Sequence, residues 1–93
     1  MTKAAVARAD VKIANQRGLH ARAAARFVQT AEQFDAEVAV SKDDSTVPGT
    51  SILGLMMLAA SPGTVIHLEA AGPERVAAID ALVALIENRF GED

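Results

Sequence analysis

The stretch NQRGLHARAAARF, residues 15–27, gathers His20, Arg17, Arg22 and Arg26 and contains no acid. A helix is expected to begin at about His20, with Gly18 allowing a tight turn just before it. Positive charge in the first turn opposes the helix dipole, so Arg22 and Arg26 stand where an ordinary helix would favour acids. The first N–H groups of a helix lack internal partners and point outward, so they bind anions readily. The same positive end favours a neutral imidazole with a free lone pair. Such a ring, facing orphan N–H groups and a guanidinium, suits a nucleophile that accepts a phosphoryl group. The planar fork of Arg22 matches phosphate oxygens. The bland alternative is a solvated arginine face beside a mediocre cap, and spacing alone leaves both open.

A second candidate lies in TSILGLMMLAA, residues 50–60, which opens on a Thr-Ser pair suited to capping a short helix. Leu55 and Leu58, at i and i+3, are expected in the core. Ile52, Leu53 and Met56 cannot all join them and are expected to form an exposed apolar patch. Met and Leu facing solvent make an adaptable docking surface. The alternative is that the sheet or the last helix covers them.

His67 is expected to be a half-buried strand residue. His20, His67, Asp43 and Asp44 show no metal-ligand spacing, and without cysteine no metal or other cofactor is expected. There is no Walker-type phosphate loop and no triad arrangement.

The elements that must position these groups follow from periodicity. ADVKIAN, residues 9–15, alternates as a half-buried strand. Ala24, Phe27, Val28 and Ala31 fall on one helical stripe, with Arg22 and Arg26 opposite, and Phe34 and Asp35 are expected to close that helix. AEVAV and VIHLEA read as strands. KDDS reads as a hairpin turn leading to a short strand that Pro48 and Gly49 end. Gly72 and Pro73 suit the cap and first position of a last helix, with Val76, Ile79, Val83, Ile86 and Phe90 as its stripe. The order β-α-β-β-α-β-α implies an α+β fold, a mainly antiparallel sheet with helices on one face.

Composition narrows the classes. The 93 residues are expected to form one domain, 1–93, without staples. The chain is 51% hydrophobic, much of it alanine, with only 3% aromatic residues, which leaves little room for a ligand-sensing pocket. The absence of cysteine fits a reducing compartment. The longest apolar run, from Ile52 to Ala60, falls short of the roughly 20 residues of a membrane span. The start lacks an apolar signal-peptide core. A cytoplasmic protein without a membrane partner is therefore expected. Residues 1–31 hold six Lys/Arg and one acid, whereas residues 32–93 hold three and eleven. A basic island on an acidic chain steers anionic ligands or acidic protein surfaces. Lacking Tyr, Trp and any lysine cluster, it is a poor nucleic-acid platform.

GLHARAAARFV, preceded by a short strand, resembles the active-site segment of the HPr family, histidine phosphocarriers of the bacterial phosphoenolpyruvate-dependent phosphotransferase system. The likeness extends through TSILGLMMLAA, SPGTVIHLEAAGPE and the long last helix. It implies an open-faced β-sandwich, a four-stranded antiparallel sheet covered by three helices. It also implies that His20 accepts a phosphoryl group from enzyme I and passes it to a IIA-type protein, with Arg22 contacting the phosphate. Such a carrier has little catalysis of its own and is expected to be a monomer. The helix from Ile52 would lie beside His20, as part of the surface that partners grip, with Arg17 and Arg26 on its basic rim. Ser51 matches the serine that a bifunctional HPr kinase/phosphorylase modifies in some members; a capping role alone fits equally. Many members have proline where this chain has Ala23, a form resembling nitrogen-type carriers, so sugar uptake and nitrogen-type regulation both stay open. The other reading is a regulatory paralogue that binds target proteins without carrying phosphate.

Overall fold

The computed structural model describes residues 5–92. Four strands, β1 (Val6–Lys12), β2 (Glu37–Lys42), β3 (Ser45–Pro48) and β4 (Val65–Ala71), form one sheet in the order β1-β4-β2-β3. Every pairing is antiparallel. Helices α1 (Ala21–Ala31), α2 (Ile52–Met57) and α3 (Arg75–Glu87) join this sheet through one continuous core, and a tight turn over Arg89–Gly91 follows. This is the expected α+β fold. Among the described residues, no helix is long and apolar enough to cross a membrane.

Alternation divides the sheet. Val11, Val38, Val40, Ile66, Leu68 and Ala70 are buried under the helices. The opposite face carries Arg8, Asp10, Lys12, Glu37, His67 and Glu69, all exposed. His67 belongs to this exposed face rather than lying half-buried. It stands directly across from Asp10, with Nδ1 and a carboxylate oxygen 2.6 Å apart.

β1 begins three residues earlier than its alternation indicated, because Ala7 and Ala9 continue the inward face and Val6 pairs with Ala71. Small alanines carry too little hydrophobic contrast for that alternation to register. α1 ends at Ala31, short of Phe34 and Asp35, with Glu32 as its C-cap, and the Phe34 N–H turns back to the Ala31 carbonyl. The alanine-rich α1 is a strong helix former, and it buries Ala23, Ala24, Phe27, Val28 and Ala31 as its stripe indicated.

α3 begins at Arg75, later than Gly72 and Pro73 implied. Gly72 adopts φ +123°, far from helical, and a Cβ there would come within 2.9 Å of the Asp35 carbonyl oxygen. Glu74 is clamped to Asp35 in both directions. Its N–H donates to the Asp35 carbonyl at 3.0 Å, and its Oε1 accepts from the Asp35 N–H at 2.7 Å. These tertiary bonds hold residues 72–74 out of the helix. The buried face of α3 is Ala78, Ile79, Leu82 and Ile86, while Val76 is exposed and Val83 only partly covered. Leucine, valine and alanine surround α3 on nearly every side, so periodicity alone could not choose its inner face.

Candidate functional site

His20 is the N-cap of α1, with extended backbone at φ −76° and ψ 179°. Its carbonyl accepts from the Ala24 N–H at 2.8 Å, the first bond of the helix, and its ring Nδ1 accepts from the Arg22 N–H at 3.2 Å. The imidazole thus takes the place that a serine or aspartate oxygen usually holds, facing the orphan donors of the first turn.

The approach to His20 depends on Gly18. It adopts φ +65°, and an added Cβ would lie 2.4 Å from the Ala60 carbonyl oxygen. That oxygen accepts from the Leu19 N–H at 2.9 Å, tying the histidine loop to the chain leaving α2. Only glycine combines this handedness with this closeness.

Asn15 braces the loop from below. It is fully buried, and its Nδ2 donates to the Gly18 carbonyl at 2.7 Å and to Glu92 Oε1 at 3.0 Å. Because both partners are acceptors, the amide nitrogen must face them, and Oδ1 remains buried without a partner among the described residues.

Glu92 completes the geometry from beyond α3. Its Oε2 lies 2.5 Å from His20 Nε2, and both side chains are largely enclosed, at 21% and 16% exposure. Burial alone would raise the Glu92 pKa. The bonds from Asn15 and His20, with the charge of nearby Arg17, outweigh it and hold the carboxyl below its ordinary range.

Arg17, Arg22 and Arg26 converge with Gln16, Gly91 and Glu92 around a polar cleft of about 340 Å³. Arg22 and Arg26 are exposed, on the side of α1 away from its core stripe. Arg26 also lies against the turn after α3, its Nη1 only 3.0 Å from where a Gly91 Cβ would stand. A dianion entering this cleft meets the guanidinium groups of Arg17, Arg22 and Arg26, and Arg22 links the cleft to His20, since its N–H donates to Nδ1.

α2 flanks the loop. Ser51 is its N-cap, with Oγ accepting from the Gly54 N–H at 2.9 Å. Lys42 Nζ satisfies the Leu58 carbonyl at the other end, at 3.0 Å. Leu55 and Leu58 are buried, whereas Ile52, Leu53, Met56 and Met57 are exposed, Leu53 by 68% and Met57 by 74%. The patch therefore exists as its spacing indicated, enlarged by Met57.

The site thus unites His20, Arg17, Arg22 and Arg26, with the α2 patch tied alongside through the Leu19–Ala60 bond. Glu92 and Asn15 escaped the sequence reading. Glu92 is 72 residues from His20 and belongs to no motif.

Residues 7–88 match the family model described as the PTS HPr component phosphorylation site. The chain belongs to the HPr family. It is 55% identical over 83 residues to the phosphocarrier protein HPr of Neisseria meningitidis, covering 89% of this chain and 93% of that protein. A crystal structure of an HPr from Thermoanaerobacter tengcongensis superposes with a TM-score of 0.89 at 47% identity, covering 94% of this chain and 98% of that one. An HPr dimer from the same organism matches at 46% identity with a TM-score of 0.74, covering 99% and 100%. The open antiparallel sheet with three helices is the architecture shared with these HPr structures. An HPr is a phosphocarrier of the phosphotransferase system, and this chain carries that family function.

Proposed function

We propose that His20 accepts a phosphoryl group on Nδ1 from phosphorylated enzyme I and passes it to a IIA-type protein. The observation that carries this reading is the placing of Nδ1 at the N-terminus of α1, beside an arginine-lined cleft. Arg22 neutralises the bound phosphoryl group. The partners supply the in-line geometry that such transfer needs, because the carrier itself holds only the acceptor half of the site. The chain works as one domain and a monomer in the cytoplasm, in sugar uptake or nitrogen-type regulation.

Partners dock on the apolar face of α2, steered by the rim of Arg17, Arg22 and Arg26 toward acidic surfaces. Ser51 is the site at which an HPr kinase/phosphorylase would act. A phosphate there is tolerated by the helix N-terminus but places negative charge in the docking patch.

Incubation with phosphoenolpyruvate and enzyme I tests the carrier role. Acid-labile phosphate present in the wild type and absent in His20→Ala supports it; no incorporation into the wild type would sink it in favour of a regulatory paralogue. For Ser51, the readout is acid-stable label after incubation with the kinase and ATP, lost in Ser51→Ala.

A further inference from the structure

Glu92 is held too specifically to be an incidental surface acid. One carboxylate oxygen faces His20 Nε2 at 2.5 Å, and the other accepts from the fully buried Asn15 at 3.0 Å. The same Asn15 amide holds the Gly18 carbonyl, so ring, carboxylate and histidine loop share one brace. The turn that delivers Glu92 is equally specific. Arg89, Phe90 and Gly91 are successively left-handed, at φ 56°, 55° and 75°. Two of these are not glycine, a conformation that persists only where its surroundings impose it. Phe90 supplies that constraint, being fully buried in the core, and the Glu92 N–H closes the turn on the Arg89 carbonyl at 2.8 Å.

The two ring nitrogens of His20 then have opposite partners. Nδ1 faces a backbone donor, the Arg22 N–H, and Nε2 faces a carboxylate acceptor. A neutral imidazole has one donor and one acceptor nitrogen, so both contacts select the same tautomer, N–H at Nε2 and a lone pair at Nδ1.

We propose that Glu92 is a positioning residue for phosphoryl transfer at His20, orienting the ring, placing its proton on Nε2 and balancing the positive charge the ring acquires. The proposal rests on the phosphocarrier reading. In the forward step the Nδ1 lone pair forms a bond to phosphorus. The bond between phosphorus and the donor's phosphorylated atom breaks, and its electron pair leaves with the donor. The Nε2 proton stays in its bond to Glu92, so the ring becomes a phosphoimidazolium beside a fixed carboxylate. In the onward step a nucleophilic atom of the IIA-type acceptor forms a bond to phosphorus while the N–P electron pair goes back to the ring, restoring the neutral tautomer. A carboxylate that orients an imidazole and stabilises its cation is a recurrent arrangement in acyl transfer and at metal sites.

The test combines nitrogen-15 NMR of the imidazole with single-turnover transfer from phosphorylated enzyme I. In the wild type the His20 resonances should report the Nε2–H tautomer. In Glu92→Ala the tautomers should mix, and the transfer rate should fall by about tenfold, the loss typical when such a supporting partner is removed. Glu92→Gln still offers an oxygen to Nε2–H, so it should keep the tautomer while remaining slower than wild type for lack of charge. Wild-type tautomer and wild-type rate in Glu92→Ala would overturn the proposal. A wild type that accepts no phosphoryl group fails the carrier reading, whereas the NMR comparison still decides whether Glu92 sets the ring.

Discussion

The Leu19 N–H donates to the Ala60 carbonyl at 2.9 Å, joining the loop that presents His20 to the chain that leaves α2. Two surfaces distant in sequence, the arginine cleft and the apolar patch, are thereby set side by side. A partner can grip one while reacting with the other. Ala59, itself left-handed at φ 53°, turns the chain so that the Ala60 carbonyl meets the loop.

Gly18 is where this junction is most sensitive. In Gly18→Ala the methyl group would stand 2.4 Å from the Ala60 oxygen, in a backbone conformation at φ +65° that alanine resists. Denaturant unfolding should show a loss of about 1–3 kcal/mol, the usual cost of a residue forced into sparse backbone space. Phosphoryl acceptance should fall as well, because the Leu19–Ala60 bond is displaced.

Arg22 is exposed and contributes little to packing, so Arg22→Glu should leave the unfolding midpoint nearly unchanged. It should reduce phosphorylation of His20 by about 100-fold or more, the scale of losing a donor aimed at developing charge. Glu87, exposed on α3, is the control: Glu87→Arg should leave transfer close to wild type. Equal effects of the two substitutions would remove Arg22 from the phosphate site.

The apolar patch predicts a different signature. Leu53→Asp and Met57→Asp change strongly exposed side chains and should shift stability by no more than about 0.5 kcal/mol. Calorimetric titration with enzyme I should nevertheless show affinity lowered by about tenfold, since truncated central contacts cost above 1 kcal/mol each. The salt dependence should persist, because the arginine rim is untouched. Unaltered affinity in both variants would place the interface elsewhere.

Acid stability should report on Glu92. Its carboxyl is held below the ordinary value of 4.5 in the folded chain. A depressed folded pKa contributes stability that is fully present above the unfolded value and is lost as pH falls through the folded one. Thermal unfolding from neutral to acidic pH should therefore be less pH-sensitive in Glu92→Gln below about pH 4.5. At neutral pH the variant should be the less stable protein. Parallel curves throughout would mean that the contact with His20 contributes nothing to folding.

Much of this molecule is legible in its local sequence patterns. The Gly-Leu-His-Ala-Arg string, the stripe of Ala24, Phe27, Val28 and Ala31, and the alternation of VIHLEA are local patterns, decided by residues within one or two turns of each other. They sufficed for the element order, the N-cap position of His20 and the outward direction of Arg22 and Arg26. The excess of apolar residues on a short helix likewise required that some of Ile52, Leu53 and Met56 face solvent.

What tertiary structure alone decided was every relationship between distant segments. Glu74 and Asp35, clamped across the fold, set the start of α3 against the local preference for Gly72 and Pro73. The alternation of its own strand turns His67 to solvent, but only the pairing register sets it opposite Asp10. Glu92 reaches His20 because Phe90 is buried and the turn around it is left-handed, neither of which a pattern of residue types encodes. Periodicity reports which face of an element is apolar, so it could place the helix that His20 opens; only packing of the complete core could bring a carboxylate to the far side of the ring.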